Sequence, residues 1–139
     1  MPCLHNDLIQ VASELFELAK REDIPNAEIY RRASVSRAYY SAYHFALSLR
    51  EQKGLSAAPS QNGEGVHAKL LADLRSADQQ IASEERGHWR ASIGLLETLR
   101  KRRIVADYRL GEKFDAGLAA DTLEIANRVL KRLSSYSSA

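Results

Sequence analysis

Residues 31–49 read RRASVSRAYYSAYHFALSL. This stretch has no proline or glycine, and its small, aromatic and aliphatic residues recur at three- and four-residue spacing. At 100° per residue that spacing winds a helix with distinct faces. Ala38, Ala42 and Ala46 share a flat, small-residue face that a neighbouring helix can approach closely. Arg37, Tyr40 and His44 share a second stripe, while Tyr39 and Tyr43 fill core or interface volume. The helix extends from about Ala27 to Gln52, with a break at Pro25, Asn26 as the candidate N-cap and Gly54 as the stop.

The same periodicity repeats outward in both directions. Leu4, Leu8, Val11, Leu15, Leu18 and Ala19 mark an amphipathic helix over 4–22. The segment 54–65, GLSAAPSQNGEG, is rich in turn residues and reads as an exposed loop. A third helix is expected over 66–83, a fourth over 88–108 and a last over 115–133, leaving 134–139 as a frayed tail. No stretch alternates with period two between turn signals, so the expected fold is all-α, an up-and-down bundle of about five helices forming one domain over 1–139.

Charge sharpens the picture. The chain carries 20 Lys+Arg against 18 Asp+Glu, so no global basic field points to nucleic acid. Yet from Arg86 to Arg109 seven basic residues face two acidic ones, Glu97 and Asp107. Two readings of this segment stand side by side. One is a solvated basic helix end, favoured by the C-terminal dipole. The other is a phosphate-contacting surface of Arg100, Lys101 and Arg102. On the fourth helix the apolar stripe of Trp89, Ile93 and Leu96 runs on into Arg100, Arg103 and Asp107. Charges that end a core-facing stripe need partners or water. Arg103 and Asp107 are spaced to pair with each other, and Arg37 is a second candidate partner for Asp107 across two helices. Lys101 and Arg102 point elsewhere and are expected to be solvated.

Other chemistries find little footing. The lone Cys3 offers neither an intrachain disulfide nor a thiolate zinc site. Two Glu-x-x-His pairs, Glu64/His67 and Glu85/His88, sit beside glycines at expected helix ends rather than mid-helix, so no metal site is expected. No phosphate-binding glycine loop and no nucleophile elbow is present, and no cofactor is called for. No apolar run approaches the ~18 residues of a membrane span, and the first residues lack a signal-peptide pattern. The expected location is cytoplasmic, with no membrane partner.

Two segments resemble the HEPN superfamily, in its branch of short stand-alone prokaryotic proteins. SRAYYSAYHFA, Ser36 to Ala46, is similar to that branch's SRAYYAxFHAA signature, and RIVADY, Arg103 to Tyr108, is similar to its R-x-x-A-D-Y signature. His67 is similar to a histidine the branch often carries early in the following helix. The resemblance implies a bundle with a four-helix core that usually dimerises. It also implies one of several roles. Many HEPN proteins are metal-independent ribonucleases whose Arg and His lie four to six residues apart. Others bind nucleotides or accompany minimal nucleotidyltransferases in toxin–antitoxin or defence systems. In the ribonucleases the pair sits on a later helix, but here no histidine follows Arg103. Arg37 and His44, with six residues between them, are the pair with suitable spacing.

The resulting expectation is a homodimer that binds RNA or nucleotide beside a minimal nucleotidyltransferase. Its candidate catalytic residues are Arg37, His44 and Arg103, within a polar cluster of Tyr40, Asp107 and Tyr108. In a ribonuclease His44 serves as acid and base, with Arg37 or Arg103 on the phosphate. The alternative is a non-enzymatic interaction module whose polar cluster is structural.

Overall fold

The computed structural model describes residues 4–21, 23–55 and 65–137. Among them the regular structure is helical throughout: α1 (Leu4–Ala19), α2 (Ile24–Lys53), α3 (Val66–Ser76), α4 (Arg86–Tyr108) and α5 (Ala116–Ser134), with short 3₁₀ turns at Ala77–Gln80 and Ser83–Glu85. The all-α bundle expected from the periodicity is what forms. Most of the loop expected over 54–65, namely 56–64, lies outside the described residues.

The 30-residue α2 is the hub, and each of the other four helices packs against it. Its start differs from the sequence reading. Asp23, not Asn26, occupies the N-cap, and Pro25 lies in the first turn. Proline lacks the N–H that goes unused there, so it opens the helix rather than breaking it. Gly54 ends α2 in the left-handed conformation, φ 65°, and the Leu55 N–H reaches back to the Arg50 carbonyl at 2.9 Å.

The alanine face of α2 is spent inside the protomer. Ala38, Ala42 and Ala46 are fully buried. On the same side Ser34 donates to the Ala12 carbonyl at 2.6 Å, and Ser41 donates to the His5 carbonyl. Later residues of α2 thus meet earlier residues of α1, so the two helices run antiparallel and in close contact. This face is therefore not available as an approach surface for a second copy.

Cross-helix contacts set the remaining directions. Ser36 and Tyr40 of α2 meet Asp107 and Arg103 of α4, an antiparallel pairing. Thr122 of α5 meets Arg102, and Tyr136 beyond α5 meets His88, so α5 runs antiparallel to α4. In contrast, His67 and Asp73 of α3 meet Tyr39 and Arg50 of α2 in the same order. Thus α3 runs in the same sense as α2, and the bundle departs from strict alternation at this one crossing.

The core is built on Trp89, Leu96 and Leu99 of α4, Val35 and Leu49 of α2, Leu74 of α3, Phe114, and Val129 and Leu133 of α5, all essentially buried. The third helix is shorter than the expected 66–83. Trp89 donates its indole N–H to the Leu74 carbonyl at 2.8 Å, and Arg86 donates to the carbonyls of Asp78 and Ile81. These side chains satisfy carbonyls around the unwound turn, which makes the early end of α3 affordable in hydrogen-bond terms. Of the frayed tail expected over 134–139, residues 138–139 lie outside the described residues, and Tyr136 is held in place. Tyr136 packs edge-on against Trp89, 4.9 Å between centroids, and its hydroxyl lies 2.7 Å from His88 Nδ1.

A buried arginine fixes the far end of α4. Arg32 of α2 donates to the carbonyls of Val105 (2.9 Å), Ala106 (3.1 Å), Arg109 (3.3 Å) and Glu112, while pairing with Glu28 at 3.0 Å. Carbonyls at a helix C-terminus lack intrahelical donors and carry the negative end of the dipole, so a cation there is favoured. Glu28 in turn accepts the Phe114 N–H at 3.1 Å, which ties down the connection from α4 to α5.

Candidate functional site

The level of α4 that Arg32 anchors carries Arg103, Asp107 and Tyr108. One and two helical turns up α2 from Arg32 are Ser36 and Tyr40, and α3 brings His67 alongside. The cluster therefore draws on three helices.

Arg103 is its centre. Its Nε donates to Asp107 at 2.8 Å, an i,i+4 pair, and its Nη2 donates to the Tyr40 hydroxyl at 2.7 Å and the Tyr108 hydroxyl at 3.3 Å. The guanidinium also lies 5.1 Å from the ring centroids of both tyrosines. Burial opposes the charge, but Tyr40, Asp107 and Tyr108 outweigh it, so the Arg103 pKa is raised. With its donors engaged on both sides, Arg103 holds the two signature segments together and is a positioning residue.

Asp107 finds a different second partner from the one expected. Ser36 donates to its Oδ2 at 3.2 Å, and Arg37 does not bond to it. Arg37 is exposed and forms no ion pair among the described residues. The reason is angular. One residue along a helix is a turn of 100°, and Ser36, not Arg37, lies on the side of α2 that faces α4. The Arg37–Asp107 bridge is therefore replaced by Arg103–Asp107–Ser36.

Beside Arg103 lies an aromatic layer. His44 packs edge-on against Tyr43 at 5.2 Å and lies 6.3 Å from Tyr40. His67 sits 4.5 Å from the Tyr43 ring and 5.9 Å from Tyr40. Its Nδ1 lies 2.6 Å from the hydroxyl of Tyr39, a residue only 2% exposed. Burial raises the Tyr39 pKa, so the phenol stays protonated. Burial also holds His67 below the ordinary imidazole range, and Coulombic repulsion from Arg103, Arg100 and His44 lowers it further. His67 and Arg100 thus join the cluster. The signal for Arg100 was present in the sequence, as the continuation of the apolar stripe of α4. Nothing in the spacing of His67 could place it, because the path of the chain between α2 and α3 decides where it lands.

The basic run divides into separate roles. Arg100 is half-buried and forms no ion pair among the described residues, although Arg103 and His67 are its neighbours. Lys101 is exposed, as expected. Arg102 is half-buried rather than fully solvated. It donates to Thr122 at 2.9 Å and to Asp121 at 3.1 Å, clipping α5 to α4. Thr122 and Asp121 therefore compete with any phosphate for Arg102.

Among the described residues no group of three or more His, Cys, Asp and Glu side chains is placed to hold a metal ion. His88 bonds to Tyr136, and Glu64 lies outside the described residues. No helix among the described residues is long and apolar enough to cross a membrane. No protein-family model, curated protein or solved structure matches the chain.

Proposed function

We propose that this chain is a HEPN-type component of a nucleotidyltransferase-linked toxin–antitoxin or defence system, and that it binds RNA or nucleotide through Arg37, Arg100, Lys101 and His44. One observation carries the reading. Among the described residues the carboxylate of the cluster, Asp107, is already held by Arg103 and Ser36, while Arg37, Arg100 and Lys101 form no ion pair. Cationic side chains without an acidic partner, Arg100 among them beside the aromatic layer, suit phosphate contacts with a stacking surface nearby. The reading includes cytoplasmic location, a homodimer and a minimal nucleotidyltransferase partner, as the resemblance implies. The dimer cannot use the alanine face of α2.

The ribonuclease form of this reading assigns proton transfer to His44 and phosphate contact to Arg37, leaving Arg103 to position them. The engagement of Nε and Nη2 of Arg103 with Asp107, Tyr40 and Tyr108 favours a second reading at that residue alone: a structural clamp within an interaction module.

Fluorescence anisotropy with a labelled single-stranded RNA at low salt tests binding, and gel analysis of the same RNA in EDTA tests cleavage. Binding that weakens in Arg37→Ala and Arg100→Ala supports the reading. A nuclease requires cleavage in EDTA that falls at least ~100-fold in folded His44→Ala. Folded protein that neither binds nor cleaves leaves the interaction module, which co-purification with a nucleotidyltransferase then addresses.

A further inference from the structure

We propose that His67, Arg100 and His44 form a subsite for a phosphate monoester, with Tyr39 setting which imidazole nitrogen of His67 faces the ligand. The proposal deepens the RNA-or-nucleotide reading and rests on it for the biological ligand. The chemistry of the subsite stands on the cluster itself.

The tautomer follows from burial. A buried phenol O–H needs an acceptor, and the described partner of the Tyr39 hydroxyl is His67 Nδ1, at 2.6 Å. The phenol therefore donates and Nδ1 accepts. A neutral imidazole carries its one proton on the other nitrogen, so Nε2–H is the donor left for a ligand. The Tyr43 ring, 4.5 Å away, backs the imidazole and helps to fix its place.

Charge identifies the ligand class. Among the described residues the charged and titratable groups around His67 are His44, Tyr39, Tyr40 and Tyr43 on α2, and Arg100 and Arg103, the latter with its partner Asp107, on α4. The single carboxylate among them, Asp107, is neutralised by Arg103 at 2.8 Å. What remains is an excess of positive charge and N–H donors drawn from three helices. A backbone diester carries one charge. A monoester carries about −1.5 to −2 near neutral pH and offers three terminal oxygens, so it answers more of these donors at once.

The expected pH dependence has a definite sign. Free His67 is held neutral by burial and its cationic neighbours. Because Nδ1 is occupied by the Tyr39 phenol, His67 binds as the neutral Nε2–H donor and takes up no proton. Affinity then follows the ligand's second ionisation, rising as pH climbs through about 6 and levelling off above it.

The test uses the full chain with labelled histidines, following the His67 ring signals by NMR. The ligands are inorganic phosphate, adenosine 5′-monophosphate, and one RNA oligonucleotide prepared with either a 5′-phosphate or a 5′-hydroxyl. The expected results are a shift of the His67 signals with the neutral Nε2–H tautomer retained, and tighter binding of the 5′-phosphorylated RNA. Arg100→Gln should weaken binding about tenfold or more, the loss of one charged hydrogen bond. Tyr39→Phe keeps the ring volume and should alter the His67 tautomer signature without unfolding the bundle. A response to phosphate and the mononucleotide alone supports the subsite with a small nucleotide as its source, and preference for phosphorylated RNA supports it with an RNA end. RNA that binds regardless of its 5′-phosphate while His67 stays silent to every ligand overturns the subsite and leaves RNA binding standing. A His67 response without RNA binding supports the subsite and overturns the RNA reading. If His67→Gln fails to fold, the wild-type titration still decides.

Discussion

Replacing Arg32 with alanine should be the most damaging single change at the α2–α4 junction. The wild-type side chain is 8% exposed and bonds four backbone carbonyls at the end of α4, together with Glu28. Of those carbonyls, Arg109 and Glu112 belong to exposed residues and can take up water after the change. Ala106 is buried and Val105 half-buried, so water replaces the guanidinium poorly there. Breaking a buried charged pair generally costs ~3–5 kcal/mol. Glu28 keeps the Phe114 N–H and is partly exposed, which places the expected loss near the lower end, about 3–4 kcal/mol. Against a typical total of about 5–15 kcal/mol this is a large share. Urea unfolding followed by helical circular dichroism measures it, with Arg32→Lys falling between the two because a point charge cannot reach the same set of carbonyls.

Acidity provides an independent check on Arg32. The hydrogen bond from Arg32 lowers the Glu28 pKa, burial opposes this, and the Phe114 N–H lowers it further. A carboxyl whose folded pKa is depressed adds stability above its unfolded pKa and loses it as pH falls through the folded value. The gap between wild type and Arg32→Ala should therefore narrow on acidification. A loss under about 1 kcal/mol at neutral pH, with an unchanged denaturant slope, would refute the anchoring role.

Three further outcomes are expected. Gly94 lies exposed in the middle of α4, and a Cβ added there meets nothing within 4 Å, so Gly94→Ala should stabilise by about 0.5–1 kcal/mol, read as a higher Tm. Asp115 caps α5 by accepting the Leu118 N–H at 2.8 Å, and Asp115→Ala should cost ~0.5–2 kcal/mol in denaturant unfolding. In RNA titrations across salt concentrations, Arg100→Ala should lower the log–log slope by about 0.7, the single-strand value per phosphate contact. Arg102→Ala should leave that slope alone and instead lower stability, because Arg102 is spent on Thr122 and Asp121.

The legible parts of this protein are those that depend on neighbours along the chain. Helical periodicity placed Trp89, Ile93 and Leu96 in the core, and the i,i+4 spacing placed Arg103 against Asp107. Local spacing also put Tyr40 on one stripe with Arg37 and His44, whereas Tyr108 entered through the resemblance of RIVADY. Errors entered wherever one residue of phase or one long connection mattered. Arg37 and Ser36 differ by 100° around α2, and the periodic pattern tolerates either facing α4. The alanines 38, 42 and 46 advertise close approach, but a stripe of small residues does not say whether α1 or a second copy fills it.

The sequence by itself determined that five amphipathic helices would bury one apolar core, because 3.6-residue periodicity is a local property of the chain. It also determined that charge would interrupt the stripes of α2 and α4. Only the tertiary structure decided how those interruptions are resolved. The rotation of α2 gave Asp107 to Ser36, the docking of α5 withdrew Arg102 from the basic face, and the direction of α3 carried His67 to Tyr39. Each depends on how separate helices settle against one another. That outcome is set by core packing summed over many contacts, not by the spacing within any one segment.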